Sequence, residues 1–238
     1  VEKINEEMKL LFPEAKIEMF SSDTIEDFKG FNFTFKKIIE GNVDFIIGTQ
    51  LLAKGYDLPK LNFVGIVDAD IGLHGGDLRA SEKCFQLLTQ VSGRAGRHLK
   101  TERGLVYIQT YNPNNPVLNT LVEMDRNDFY EKELIYREKA NMPPFSRLVS
   151  IILSSKVERE LDNFAFRLLT IAPNYKDVNI LGPAPAPLNI IRGRYRRRFL
   201  IRSKKNVNLN LIIRNWLAKI KIPKKIRLIV DVDPYNFL

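Results

Sequence analysis

The stretch Gln90-Val-Ser-Gly-Arg-Ala-Gly-Arg97 places two arginines three residues apart, each directly after a glycine, where a polar helix should end. A guanidinium is planar, stays charged at any working pH and matches phosphate oxygens with two parallel N–H groups. Glycine lets the backbone turn tightly and approach closely. Arg94 and Arg97 therefore suit a bound polyanion. An arginine so placed in a phosphoryl-transfer site stabilises the charge that develops in the transition state. Read alone, the same residues also fit two surface arginines after a helix terminus.

A second group of residues precedes this one. In "GTQLLAKGYDLP", just after an apolar run, Thr49 can hold a nucleic-acid phosphate, Gly55 permits close backbone approach and Asp57 can accept a ribose hydroxyl. An ordinary strand-to-helix loop using Gly and Asp as turn formers is the alternative. A third group is "RGRYRRRFLIR", with Arg192, Arg194, Tyr195, Arg196, Arg197 and Arg198. On a strand, Tyr195, Arg197 and Phe199 share one face, and Arg196 and Arg198 the other. Arginines beside an aromatic suit phosphate contact and base stacking, while a charged edge strand that resists aggregation is the plain alternative. Arg214 and Lys219 extend this patch. Asp68 and Asp70, in "VDAD", fit helix capping and cleft lining better than a magnesium site, because no phosphate loop precedes them. His74 reads as a loop residue and Cys84 as core or helix surface. A single cysteine excludes an internal disulfide and any multi-cysteine metal site, and two isolated histidines, His74 and His98, make a poor zinc site, so no metal ligand is assigned.

The elements that position these residues follow from periodicity. Helical spacing over 1–12 stops at Pro13, and further helices are predicted over 32–40 and 79–94. Apolar runs at 15–20, 43–49, 61–70 and 104–110 read as buried strands between them. Strands alternating with helices predict a parallel sheet covered on both faces, with polar motifs just past the strand ends. That domain spans 1–116. A charged helical connector covers 117–142, and 143–238 has the grammar β-α-β-β-α-β of a small α+β domain. In it, "GPAPAPL" reads as a loop between two strands. Residues 1–120 hold 14 basic against 16 acidic side chains, whereas 141–238 hold 19 against 6. The basic end therefore predicts an anionic partner such as nucleic acid. No apolar run reaches the roughly 18 residues of a membrane span, and a reducing, cytoplasmic setting is expected.

Together, 33 residues apart from Asp57 to Gln90, the first two groups resemble motifs V and VI of superfamily 2 helicases. Lys54 stands where arginine is usual, which keeps the charge and loses the fork. Gln90, Gly93, Arg94, Gly96 and Arg97 fit motif VI throughout. The runs "DFIIGTQLLAKGYDLPKLNFVGIVDAD", "DLRASEKCFQLLTQVSGRAGR", "NMPPFSRL", "RGRYRRRFLI" and "DVDPYNFL" are similar, in order, to the primosomal protein N′ (PriA) family of replication-restart helicases. Tyr56 takes a position that is commonly histidine there. The resemblance implies a RecA-like lobe of the P-loop NTPase type, without its phosphate loop, followed by the small α+β domain. It implies a 3′-to-5′ DNA motor that recognises stalled forks and assembles the primosome. Gln90, Arg94 and Arg97 would be catalytic, Gly55 and Asp57 nucleotide-binding, and Thr49 and the Arg192–Arg198 cluster DNA-binding. ATP and Mg2+ would be shared with a first lobe, and zinc would belong to another part of the family's chain. Implied partners are forked DNA, the acidic tail of single-stranded DNA-binding protein and other primosome proteins, with no membrane.

No G-x-x-x-x-G-K-[ST] phosphate loop occurs in the sequence. The expectation is a C-terminal piece of a helicase, inactive as an ATPase by itself. A non-enzymatic adaptor that keeps a residual motor lobe is the alternative, and motifs V and VI alone do not separate DNA from RNA helicases.

Overall fold

The computed structural model describes residues 1–20, 28–49, 58, 60–73, 77–97, 104–123 and 125–235. The chain divides into two compact units, Val1–His74 with Ser81–Met124, and Gly75–Ala80 with Asp125–Leu238.

In the first unit the predicted alternation of helices and strands is present. Helix α1 (Glu2–Leu11) leads into β1 (Ile17–Phe20), α2 (Phe28–Glu40) into β2 (Phe45–Gly48), and β3 (Phe63–Ile66) into a short 3-10 turn, Ala69–Leu73. Helix α3 (Ala80–Ser92), β4 (Leu105–Ile108) and α4 (Pro116–Glu123) follow. β1 pairs with β2 and β3 with β4, both in parallel, as two separate two-stranded sheets among the described residues. Parallel strands need a crossover between them, and α2 and α3 supply it. α3 buries Cys84, Phe85 and Leu88. Residues three and four apart lie on one side of a helix, so this stripe fixes which way α3 faces.

The second unit opens with α5 (Arg126–Lys139), which Asp125 caps by accepting from the Asn127 and Asp128 amides at 3.0 Å each. Then come β5 (Ser146–Ser155), α6 (Glu158–Thr170), β6 (Val178–Ile191), β7 (Arg194–Lys204), α7 (Leu209–Leu217) and β8 (Arg227–Val232). The β-α-β-β-α-β order is the predicted one. The four strands form one antiparallel sheet in the order β6-β7-β5-β8, a split β-α-β, or ferredoxin-like, arrangement. Both helices cover the same face. α6 turns Leu161, Phe164, Ala165 and Leu168 inward and α7 turns Leu209, Ile213 and Trp216, against Val149, Ile151, Leu153, Phe199 and Ile201 of the sheet. Trp216 meets Phe199 edge to face at 5.7 Å and donates its indole N–H to Leu168 O at 3.0 Å. Truncating such a buried aromatic costs about 3–5 kcal/mol.

"GPAPAPL" differs from its reading as a loop, for these residues lie inside the 14-residue strand β6. β6 is an edge strand, where a residue without an N–H is tolerated. Its register slips between Leu181 and Ala184 and again between Pro185 and Ile190. Gly182 sits at φ +103°, where a Cβ would also run into Arg198 O, so glycine is required at this irregularity.

Candidate functional site

The arginine turn is built at its base by backbone. The last helical bond of α3 runs from Gly93 N to Thr89 O at 3.0 Å. Two tighter bonds follow, Arg94 N to Val91 O and Ala95 N to Ser92 O, at 3.1 and 3.2 Å. Gly96 then adopts φ +72°, and its N–H donates to Leu61 O at 2.8 Å. Leu61 lies just ahead of β3. On the other side, Gly104 precedes β4, and a Cβ there would collide with the Ala95 backbone. Leu105 N closes the frame by donating to Asn62 O at 2.8 Å. The starts of both strands thus hold the turn, and Arg97 projects from it exposed while Arg94 is half-buried. Gln90 is exposed one turn back on α3. The polar α3 end, the glycines and the arginine pair therefore form one rigid-based device, as their spacing predicts. Gly104 had no distinguishing signal in the sequence, because its role depends on a contact with a distant segment.

Thr49 stands exposed immediately after β2, at the strand's C-terminal end. Gly55, Asp57, Lys54, Tyr56 and His74 lie outside the described residues. Asp70 is buried, and its two carboxylate oxygens accept from the Thr110 hydroxyl at 2.9 Å and the Tyr111 amide at 2.8 Å. Neighbouring bonds, Ala69 N to Gln109 O and Gln109 N to Ile66 O, run alongside at 2.9 Å. Asp70 thus stitches the end of β3 to the end of β4. Both of its carboxylate oxygens are engaged by neutral donors of the chain itself. Among the described residues no cluster of His, Cys, Asp and Glu could hold a metal ion. Cys84 is buried, with its thiol 3.8 Å from Ala69 O. Burial first, and the nearby Asp70 charge second, push that thiol up to about 11. A thiol so held stays protonated and is core, not nucleophile.

In the second unit the parity of β7 places the arginines. Tyr195, Arg197 and Phe199 do share one face, and it is the face beneath the helices. Tyr195 is half-buried and packs on the core. Arg197 differs from its reading as a DNA contact, because the residue is 8% exposed and every guanidinium N–H is engaged. Nε and one Nη2–H donate to the two oxygens of Asp162, at 2.6 and 3.1 Å, and Nη2 donates also to Glu158 Oε1 at 2.7 Å. Nη1 donates to Asn189 Oδ1 and Arg196 O at 2.9 and 3.2 Å. The Asp162 hydrogen bond leads in raising its pKa above the ordinary arginine value. Arg197 is a structural tie between β7, α6 and β6. The sequence held a signal for this, since Glu158 and Asp162 lie four apart on one side of a helix.

The other face carries Arg194, Arg196, Arg198 and Arg202. Directly paired residues point the same way, so cross-strand rows can be read from the register. Arg196, Ser154 and Arg227 form one row across β7, β5 and β8, and Arg198, Ile152 and Ile229 the next. Burial, then the charge of Arg196, depress the pKa of Arg198. Arg194 donates to Ser154 O at 2.8 Å and Lys225 O at 3.2 Å, and Arg196 to Leu188 O at 3.3 Å. Arg202 holds Ala140 O at 2.9 Å. Each of these bonds occupies part of a five-donor fork. Arg192 and Gly193, at φ +49° and +69°, make the two-residue turn between β6 and β7 and leave Arg192 exposed. Arg227 joins this basic face only through strand register, and so was missed in the sequence.

A parallel α/β lobe that ends a helix in an arginine-pair turn, joined to a basic α+β domain, is the arrangement of a helicase's C-terminal motor lobe and an appended domain. Comparison with known proteins gives the same division. The family model described as helicase conserved C-terminal domain matches residues 12–99, which makes the first unit RecA-like, and that described as primosomal protein N C-terminal domain matches 138–235. The chain is similar over its whole length to replication restart protein PriA of Rickettsia conorii, 42% identical over 237 residues. It is similar likewise to the PriA proteins of Treponema pallidum, 36% over 239 residues, and Bacillus subtilis, 34% over 245. It spans 36%, 36% and 30% of the length of these relatives. The chain belongs to the PriA family of replication restart proteins. No helix among the described residues is long and apolar enough to cross a membrane.

Proposed function

We propose that this chain is the second motor lobe and C-terminal domain of an ATP-dependent, 3′-to-5′ DNA helicase that binds stalled forks and restarts replication through primosome assembly. The observation that carries the reading is the turn at the end of α3, fixed by Gly96 N to Leu61 O at 2.8 Å, with Arg97 exposed at its tip. A fixed backbone under a charged fork suits electrostatic stabilisation, because little reorganisation is left to do when charge develops. Arg97 would meet the terminal phosphate of ATP bound mainly by a first lobe, with Arg94 beside it and Gln90 aligning the nucleophile. Gly55 and Asp57 would contribute to the nucleotide cleft. ATP supplies the phosphoryl group whose transfer drives the motor, and the associated Mg2+ would be held by residues of the first lobe. This chain's own part is to bind and orient, and by itself it would not hydrolyse ATP.

DNA would be held at Thr49 and on the basic sheet face. Arg192, Arg194, Arg196 and Arg198 would contact phosphates, now with Arg227, while Tyr195 and Arg197 would support that strand from beneath. The acidic tail of single-stranded DNA-binding protein and other primosome proteins are the proposed protein partners, in the cytoplasm, with zinc bound elsewhere in the longer protein.

The test is Arg97→Ala in the full-length protein. Fork binding should stay as in the wild type, while DNA-stimulated ATP hydrolysis falls by about 10³-fold or more. Hydrolysis retained at wild-type rate would refute the assignment.

A further inference from the structure

We infer that a groove on the helix side of the C-terminal domain, between α6 and the turn at 223–226, takes an unpaired base of single-stranded DNA. The base stacks on Phe166, and its phosphates meet Arg167, Lys224 and Lys225. The inference rests on the reading of the outer sheet face as a DNA surface and carries the strand's path beyond it.

The helix wall places an aromatic ring where the core has no use for one. The inward stripe of α6 is Leu161, Phe164, Ala165 and Leu168. Phe166 comes two residues after Phe164, about 200° round the helix, and is 60% exposed. Glu160, Asn163 and Arg167, at steps of three and four, run in one line beside it. The Arg167 guanidinium lies 5.8 Å from the centroid of the Phe164 ring. The opposite wall is a tight turn, closed by Ile226 N donating to Pro223 O at 2.9 Å. That closure puts Lys224 and Lys225 at the two central positions, both exposed. Lys225 Nζ reaches from this wall to Glu160 Oε1 on the other, at 3.0 Å. Between the walls lies a cavity of about 950 Å³ lined by these residues, a size in the range of ligand sites, about 300–1,000 Å³.

Three cations and one carboxylate line the groove, so it favours an anion. An open aromatic face beside those cations suits an unpaired nucleotide in particular. Every base has a face that can stack on the ring, and the arginine and lysines can meet the backbone. A paired base inside a duplex offers no such face. Continuity favours a nucleic acid over an acidic peptide. Arg194, from the outer sheet face, donates to Lys225 O at 3.2 Å, and Arg227 directly follows Ile226. Cations thus turn the corner of the sheet, from Arg196 and Arg227 through Arg194 and Lys225 to Arg167. A polymer with a charge in every repeat can follow that row from one side of the domain to the other, whereas a short acidic peptide would need the groove alone.

The experiment measures binding of the full-length protein to two fluorescently labelled single strands of equal length and charge, an oligothymidylate and the same backbone without bases. Phe166 lies off the core stripe, so its truncation should leave Tm unchanged. Phe166→Ala should weaken the thymidylate about 5- to 150-fold and leave the abasic strand as it was. Phe166→Trp keeps a stacking face and should keep the affinity. Lys224→Gln with Lys225→Gln should weaken both strands and lower the slope of log affinity against log salt by about 1.4, at about 0.7 per phosphate contact. A strand carrying 5-iodouracil, irradiated on the wild-type protein, should become attached to a peptide that contains Phe166. Wild-type affinity of Phe166→Ala for the thymidylate would overturn the groove as a base site. So would a loss confined to an aspartate-rich peptide used as a second probe, which would give the groove to a protein tail. An unchanged salt slope on replacing Arg196 and Arg227 would instead overturn the reading of the outer face, and the abasic comparison would still decide whether a base sits on Phe166.

Discussion

Arg197→Ala is the perturbation whose outcome the structure constrains most closely. It removes a guanidinium whose five N–H groups reach Asp162, Glu158, Asn189 and the Arg196 carbonyl. Breaking a buried pair by deleting one partner costs about 3–5 kcal/mol, whereas an exposed pair contributes about 0–1 kcal/mol. Here the cation is 10% exposed, but the Asp162 and Glu158 side chains are 37% and 44% exposed. Both carboxylates can therefore take water back when the arginine goes, and the loss falls between the limits, at about 2–3 kcal/mol. For a unit of this size that corresponds to a fall in Tm of roughly 8–20 °C. Thermal unfolding followed by circular dichroism reads the first quantity. Binding of a fluorescently labelled single strand, well below the transition, reads the second and should be unchanged. Arg197→Lys should recover less than half of the lost stability, because one ammonium cannot serve acceptors on three elements at once. An unchanged Tm combined with weakened DNA binding would refute the reasoning and return Arg197 to the outer face.

Further outcomes can be checked separately. The Cys84 thiol is raised from 9.0 to about 11, by burial first and the Asp70 charge second. A folded-state value above the unfolded one means stability that is complete below pH 9 and lost as pH climbs from 9 to 11, since over that window only the unfolded thiol releases its proton. Chemical denaturation across the window should show the decline, and Cys84→Ala should flatten it. Alkylation of Cys84 by iodoacetamide at pH 8 should proceed only as fast as the protein opens, and rapid labelling of the native chain would contradict its burial. Replacing Arg196 and Arg227 together by Ala should reduce the slope of log affinity for single-stranded DNA against log salt by about 1–2. A slope identical to the wild type would take the DNA off that face.

Much of the C-terminal domain was legible because its signals are local. The period-2 run grouped Tyr195, Arg197 and Phe199 on one face, as β7 does, and the order of apolar runs gave the β-α-β-β-α-β grammar. What that face meant for Arg197 was not local, for it depends on two carboxylates more than thirty residues away. "GPAPAPL" misled for a different reason. Proline forbids a central strand but not an edge one, and only the strand order tells the two apart. The arginine turn was legible as a device, since its glycines and arginines are adjacent, yet the bonds that steady it come from Leu61 and Gly104. Arg137 looked like one more charge on a polar helix. Its burial and its hold on Leu78, 59 residues away, follow from packing that no spacing encodes.

The two rims of the C-terminal sheet differ in what they offer to another chain. β6 carries Pro183, Pro185 and Pro187 along its length, so a foreign strand laid beside it would find donors missing at every second residue. β8, at the opposite rim, has six residues with no proline and an ordinary complement of amides, guarded by Arg227 and Asp231. Crowded copies of this domain are thus barred from zipping together in series, since a filament needs two receptive rims and the sheet offers only one among the described residues. A pair joined rim to rim through β8 would use up the single receptive edge, and growth would stop at two.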